Sequence, residues 1–183
     1  MINKQELSEL SELSESFGIP IPSIQAIIEV ESAGQGFDKA TGKIKIQFEP
    51  SWFKKLSKLV TGLWSVNKVD VQSKEWLAFN DAFTKNPEKA MESTSWGSMQ
   101  VMGFHWKRLG FNSVGEMVDF AKKSERNQVW LGLKFLQTDK FIYHAILVKD
   151  WKSVAFRYNG ANYRVNSYDK KLERAEIKYS NIK

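Results

Sequence analysis

Along residues 22–53 the spacing of apolar positions changes period, and each period predicts a different element. Ile24, Ile27, Ile28 and Glu31 fall at i, i+3, i+4 and i+7, so at about 100° per residue they share one face of a helix opened by Pro22 or Ser23. A carboxylate thus closes an otherwise apolar stripe. Glu29 projects about 140° from Ile24 on the same wheel, toward solvent. Facing the core disfavours the charged form of Glu31 and raises its pKa, as a general acid working near neutral pH requires. The competing reading is a helix-end glutamate that turns out to water. Ser32-Ala33-Gly34 and Gly36 are the predicted end of this helix.

From Ile44 to Glu49 the period drops to two, the mark of a strand with one buried face, and Thr41-Gly42 supplies the turn before it. Glu49 then shares a face with Lys45 and Gln47, away from Ile44, Ile46 and Phe48. Pro50 ends the strand, and Ser51 is the predicted cap of the next helix. Upstream, Leu7, Leu10 and Leu13 predict a helix over 4–17, a lid or strut stopped by Gly18 and the turn at 19–22. Downstream the periodicity predicts helices over 51–60, 72–84, 87–92, 96–109, 113–123, 126–138, 140–148, 151–157 and 166–178. Ser113 to Glu116 has the spacing of a capping box. The linker at 61–70 holds Gly62 and Asn67 and is too short for a domain boundary. The chain therefore reads as mainly α with one strand, a single domain over 1–183.

Composition narrows the chemistry. With 183 residues, 42% hydrophobic and 26% charged, the chain is of ordinary globular make-up. It contains no cysteine, which excludes disulfides and thiolate metal sites. His105 and His144 are isolated and lack metal-ligand spacing, so no metal and no cofactor are expected. Neither a nucleophile-elbow sequence nor a phosphate-cradling glycine loop occurs. The N-terminal residues lack the apolar core of a signal peptide and no run is long enough to span a bilayer, so synthesis in the cytosol is expected. A net charge of +6 favours an anionic partner: nucleic acid, a membrane surface or a cell-wall polymer. The basic residues are scattered rather than striped, which argues against nucleic acid.

Two further stretches carry candidate chemistry. In Ser95-Trp96-Gly97-Ser98-Met99-Gln100-Val101-Met102-Gly103, the predicted helix puts Trp96, Met99, Met102, Gly103 and Trp106 on one face, with Gln100 at its edge, where an amide reaches a ligand. Core packing, with Met as filler, is the favoured reading of the Met and Trp residues. Gly97 and Gly103 permit close approach of another backbone or of a ligand. Arg157-Tyr158-Asn159-Gly160-Ala161-Asn162-Tyr163 is a compact polar-aromatic loop whose rings suit stacking on sugars, although Asn-Gly is also a plain turn signal.

In order along the chain, E-S-A-G at 31–34, S-W-G-S-M-Q-V-M-G at 95–103 and Y-N-G at 158–160 resemble the lysozyme and lytic transglycosylase superfamily. With I-x-F-E-P-x-W-F at 46–53 and R-Y-N-G-x-x-Y at 157–163, the chain is similar to the phage endolysin N-acetylmuramidase family over about residues 20–178. The resemblance implies a lysozyme-like fold of two lobes, with a small β-hairpin next to the catalytic helix and the cleft between the lobes. It implies cleavage of the β-1,4 bond between N-acetylmuramic acid and N-acetylglucosamine, with Glu31 as the acid. Glu49 is the first candidate for a second carboxylate and Asp38 the alternative. Ser95, Gly97, Gln100, Tyr158, Asn159 and Tyr163 are the candidate substrate contacts. If neither carboxylate acts, the muramic acid 6-hydroxyl attacks instead, giving a 1,6-anhydro product, with Tyr158 orienting Glu31. A non-catalytic wall-binding protein is the competing class. The expected partners are peptidoglycan glycan strands and, peripherally, the anionic envelope. A monomer without a separate peptidoglycan-binding domain is expected, held in the host cytoplasm until a holin releases it to act in the periplasm.

Overall fold

The computed structural model describes residues 4–31, 35–66 and 71–181, apart from the side chains of Lys4, Tyr158, Asn159, Ala161 and Asn162. The predicted helix end at Ser32-Ala33-Gly34 and the linker residue Asn67 lie outside the described residues. Two units divide the chain, one made of 1–34 and 133–183 and the other of 35–132.

In the first unit, α1 (Lys4–Phe17) has the predicted span. Its stripe is buried only toward its end: Leu7 is exposed and Leu10 half-buried, whereas Leu13 and Phe17 are buried. Gly18, at φ +63, terminates it. α2 (Ile21–Glu31) begins just before the expected Pro22 or Ser23 and buries Ser23 through Ile27. Around the turn, the Ser14 hydroxyl donates to the Ile19 carbonyl at 2.7 Å, and the Tyr143 hydroxyl donates to that of Phe17 at 2.7 Å. α8 (Lys140–Leu147) and α9 (Trp151–Asn159) are capped by Asp139 and Asp150, whose carboxylates accept first-turn amides. α10 (Tyr168–Ser180) starts later than predicted and packs on both α2 and α9.

In the second unit, β1 (Ile46–Phe48), β2 (Thr94–Trp96) and β3 (Val101–Met102) form an antiparallel sheet in the order β1-β2-β3. Gln47 lies opposite Ser95, and Ser95 opposite Met102. The predicted alternation holds, with Ile44, Ile46 and Phe48 buried and Gln47 exposed. α3 (Pro50–Ser57) starts at Pro50 in the first-turn position proline favours, so Glu49 and not Ser51 is its N-cap. It ends early at Lys58, whose φ is 64. A 3-10 turn, Leu63–Val66, occupies part of the expected linker. α4 (Gln72–Lys85), α5 (Pro87–Glu92), α6 (Val114–Lys123) and α7 (Glu125–Thr138) complete the unit, α7 passing into the first unit at Leu133. The Ser113 hydroxyl accepts the Glu116 amide, but Glu116 bonds back to Asn112 rather than to Ser113, so the capping box is displaced by one residue.

The predicted helix over 96–109 does not form. β2, a turn at 97–100, β3 and a 3-10 turn, Gly103–His105, stand in its place. The spacing of Trp96, Met99, Met102 and Trp106 imitates a helical stripe, but Gly97 and Gln100 both have positive φ, 72 and 47, which no helix accommodates.

The outer edge of β1 is closed by side chains of α4. Gln72 works like a neighbouring strand: its Oε1 accepts the Ile46 amide at 3.0 Å and its Nε2 donates to the Ile46 carbonyl at 2.8 Å. One turn later, buried Glu75 accepts the Phe48 amide at 2.8 Å. These bonds satisfy backbone groups that burial removes from water. Beneath the sheet, Trp96 and Phe79 meet edge to face with centroids 5.4 Å apart, and Phe53 meets Trp64 likewise at 4.9 Å. Full burial of a side chain such as Phe53 or Ile46 contributes about 1.5–3 kcal/mol.

Gln128 on α7 fixes the hairpin turn. It is fully buried, its Oε1 accepts the Ser98 amide at 2.7 Å, and its Nε2 donates to the Ala121 carbonyl at 3.2 Å. A Cβ at Gly97 would lie 2.5 Å from that Oε1, and one at Gly36 would overlap it. The Gly36 amide is bonded to Glu125 Oε1 at 3.0 Å. Both glycines are thus required by one buried amide.

Two outcomes follow from this packing. In Gln128→Met the Ser98 amide loses its partner in a dry site, so urea denaturation is expected to show a loss of about 2–4 kcal/mol; an unchanged midpoint would remove Gln128 from this role. In Gly103→Ala the new methyl overlaps the Met91 carbonyl oxygen, a backbone atom that cannot swing aside, and a loss of about 2 kcal/mol or more is expected from the same titration.

Candidate active site

Glu31 is the last residue of α2 and is half-buried, one turn beyond the buried stretch Ser23 to Ile27. Glu29, two residues earlier, is exposed as its place on the wheel predicts. It accepts from Lys178 Nζ at 2.7 Å and from the Tyr179 hydroxyl at 2.7 Å, both on α10. The bond from Lys178, then that from Tyr179, holds its carboxyl below the ordinary 4.5. This surface pair contributes little stability on its own. It does bind the last turn of α2 to α10 and thereby limits where Glu31 is carried.

In the second unit Glu49 is half-buried in the cap position of α3. Its amide donates to the Ser93 carbonyl at 2.9 Å, its carbonyl accepts the Phe53 amide at 3.0 Å, and its side chain makes no capping bond. Asp38 is committed elsewhere. Its Oδ1 accepts the Thr41 hydroxyl at 2.8 Å, the Thr41 amide at 2.9 Å and the Ala40 amide at 3.1 Å, and the hydroxyl bond leads in holding its carboxyl below 3.8.

The hairpin residues sit on the same sheet as the approach to Glu49. Ser95 is buried and its hydroxyl is directed at Met102 Sδ, 2.9 Å away. Gly97 forms the turn, its amide bonded to the Lys45 carbonyl at 2.9 Å. Gln100 is half-buried and donates from Nε2 to the Gly97 carbonyl at 2.7 Å, so the amide expected on a helix edge instead stiffens a turn.

Tyr158 and Asn159 close the last turn of α9, with Gly160 beyond at φ 66; their side chains are outside the described residues. Tyr163 is buried in the first unit, edge to face with Phe156 at 6.2 Å, and its hydroxyl accepts from Arg164 Nε at 3.2 Å. Of the predicted residues, Glu31, Tyr158, Asn159 and Tyr163 belong to the first unit, and Glu49, Ser95, Gly97 and Gln100 to the second.

Gln128, Gln72 and Glu75 were not among the residues singled out by sequence. The available signal was a polar residue on an apolar helical stripe, since Gln128 precedes Leu131 and Gly132 at i+3 and i+4. Among the described residues no group of His, Asp and Glu could hold a metal ion. None of their helices is long and apolar enough to cross a membrane.

His105 is half-buried; desolvation, followed by the charge of Arg108, pushes its pKa from 6.5 down to about 4. As pH falls below 6.5 the unfolded chain takes up the proton first, so this histidine's stabilising contribution is complete above 6.5 and lost toward 4. Replacing it, as in His105→Gln, is expected to flatten the fall in stability between pH 6.5 and 4 by up to ~1.4 kcal/mol per pH unit, read by denaturant titration across that range. An identical slope in the variant would contradict the assignment.

A family model described as Muramidase, N-acetylmuramidase, matches residues 20–180. Among solved structures, the crystal structure of the Burkholderia AP3 phage endolysin is similar with a TM-score of 0.85 and 33% sequence identity, over 94% of this chain and 69% of that one. No curated protein matches significantly. The mainly helical architecture with a small antiparallel sheet is that of the endolysin, and the family match takes in α2 and the whole of the second unit. The chain belongs to the N-acetylmuramidase family.

Proposed function

We propose that this chain is a phage endolysin that cleaves the β-1,4 bond between N-acetylmuramic acid and N-acetylglucosamine, with Glu31 as the general acid. The observation that carries the reading is the position of Glu31: it opens the E-S-A-G motif inside the family match and is half-buried at the end of a helix whose residues Ser23 to Ile27 are buried. The similarity to a Burkholderia phage endolysin supports the lytic role.

In this mechanism the Glu31 carboxyl gives its proton to the glycosidic oxygen as the bond to muramic acid C1 breaks and positive charge builds on the ring. Water adds to C1, and its proton passes to Glu49. Glu49 is preferred to Asp38 because three hydrogen bonds bind the Asp38 carboxylate into its own turn. The partners are glycan strands, and the net charge of +6 adds attraction to an anionic envelope. The enzyme is held in the host cytoplasm and acts in the periplasm after a holin opens the inner membrane.

Clearing of purified sacculi by wild type, Glu31→Gln and Glu49→Gln tests these roles. Loss of the acid is expected to slow clearing by about 10²–10⁴-fold with the fold intact by circular dichroism, and loss of Glu49 by about 10²-fold. Near wild-type clearing by Glu31→Gln would end the proposal, whereas the same result for Glu49→Gln would remove only the second carboxylate.

A further inference from the structure

The stretch 50–66 contains Lys54, Lys55 and Lys58 and not one Asp or Glu. Its aromatic anchors point inward. Phe53 and Trp64 are buried against each other, tying α3 to the 3-10 turn Leu63–Val66. The Trp64 amide donates to Asp81 Oδ2 at 3.0 Å, the Ser65 hydroxyl to the Gly62 carbonyl at 2.7 Å, and the Leu59 amide to Ser57 Oγ at 3.2 Å. The segment is therefore held from several sides.

Leu59, Val60, Leu63 and Val66, by contrast, are exposed. In a 3-10 helix residues i and i+3 eclipse, so Leu63 and Val66 share a face, and they are 63% and 69% exposed. On the approach to that turn Val60 is 65% exposed and Leu59 37%. All three lysines are exposed; Lys55 lies 4.5 Å over the Trp52 ring. Asp81, the acid that accepts the Trp64 amide, is itself paired with Lys85 at 2.5 Å, so it does not offset their charge.

We infer that residues 54–66 are a docking surface for an anionic phospholipid bilayer. The aliphatic side chains enter the headgroup and acyl boundary, while the lysines remain with the lipid phosphates. A glycan strand fits this surface poorly, since the exposed aliphatic groups offer neither an aromatic platform nor hydrogen bonds to hydroxyls. Cations without acids select a negatively charged lipid surface over a neutral one, and the rigid frame lowers the entropy cost of presenting the side chains. This inference is independent of the chemistry at Glu31.

Co-sedimentation of the full chain with vesicles of phosphatidylethanolamine containing about one quarter phosphatidylglycerol, against phosphatidylcholine vesicles, tests it. Wild type is expected to pellet with the anionic vesicles only, less so at high salt. Val60→Ser/Leu63→Ser/Val66→Ser is expected to lower the partition coefficient by about tenfold or more. Lys54→Glu/Lys58→Glu should lower it comparably and weaken the salt dependence, while both variants clear purified sacculi at the wild-type rate. No pelleting by wild type, or pelleting unaltered in both variants, would overturn the inference. A wild-type dimer in light scattering that the serine variant abolishes, without lipid binding, would overturn it in favour of a second copy of this chain.

Discussion

The buried amide of Gln128 sets the backbone around it. It holds the Ser98 amide and excludes a side chain at both Gly36 and Gly97. The hairpin turn and the segment that follows the Glu31 helix in sequence therefore depend on one side chain of α7. Leaving any of these polar groups unpaired in a dry interior costs more than the bond gains, which makes the arrangement close to all-or-none. The W-G-S element of the family resemblance owes its glycine to this contact.

The same economy of backbone bonds shapes the sheet. β1 is an edge strand, and its outer amides at Ile46 and Phe48 are taken by Gln72 and Glu75, three residues apart on α4. That spacing matches the alternation of the strand, in which every second amide faces outward. The strand leads directly into Glu49 and α3, so α4 positions the candidate second carboxylate through backbone bonds. In the first unit the comparable device is the pair of bonds from Lys178 and Tyr179 to Glu29, which bind the end of α2 while leaving Glu31 on a different face.

Much of this was legible in the chain. α1, α4, α5, α6, α7 and α8 follow their predicted spans closely because caps such as Ser113 and Asp139 coincide with a clear apolar period. The half-buried place of Glu31 and the exposure of Glu29 follow from the helical wheel. The hairpin was not legible, because Trp96, Met99 and Met102 recur at helical spacing and Gln100 takes a positive φ that its residue type does not announce. Pairing of Gln47 with Ser95 is likewise a long-range contact that no local pattern records. Gln128 carried the same signal as Glu31, a polar group on an apolar stripe, without a family motif to draw attention to it.

The central claim is that Glu31 protonates the glycosidic oxygen of a muramic acid to glucosamine linkage that water then opens. Mass spectrometry of the soluble fragments released from purified peptidoglycan by wild type and by Glu31→Gln tests it most directly. The account predicts reducing N-acetylmuramic acid ends with wild type and none with the variant. Reducing N-acetylglucosamine ends, or 1,6-anhydro-muramic ends, from the wild-type digest would contradict it.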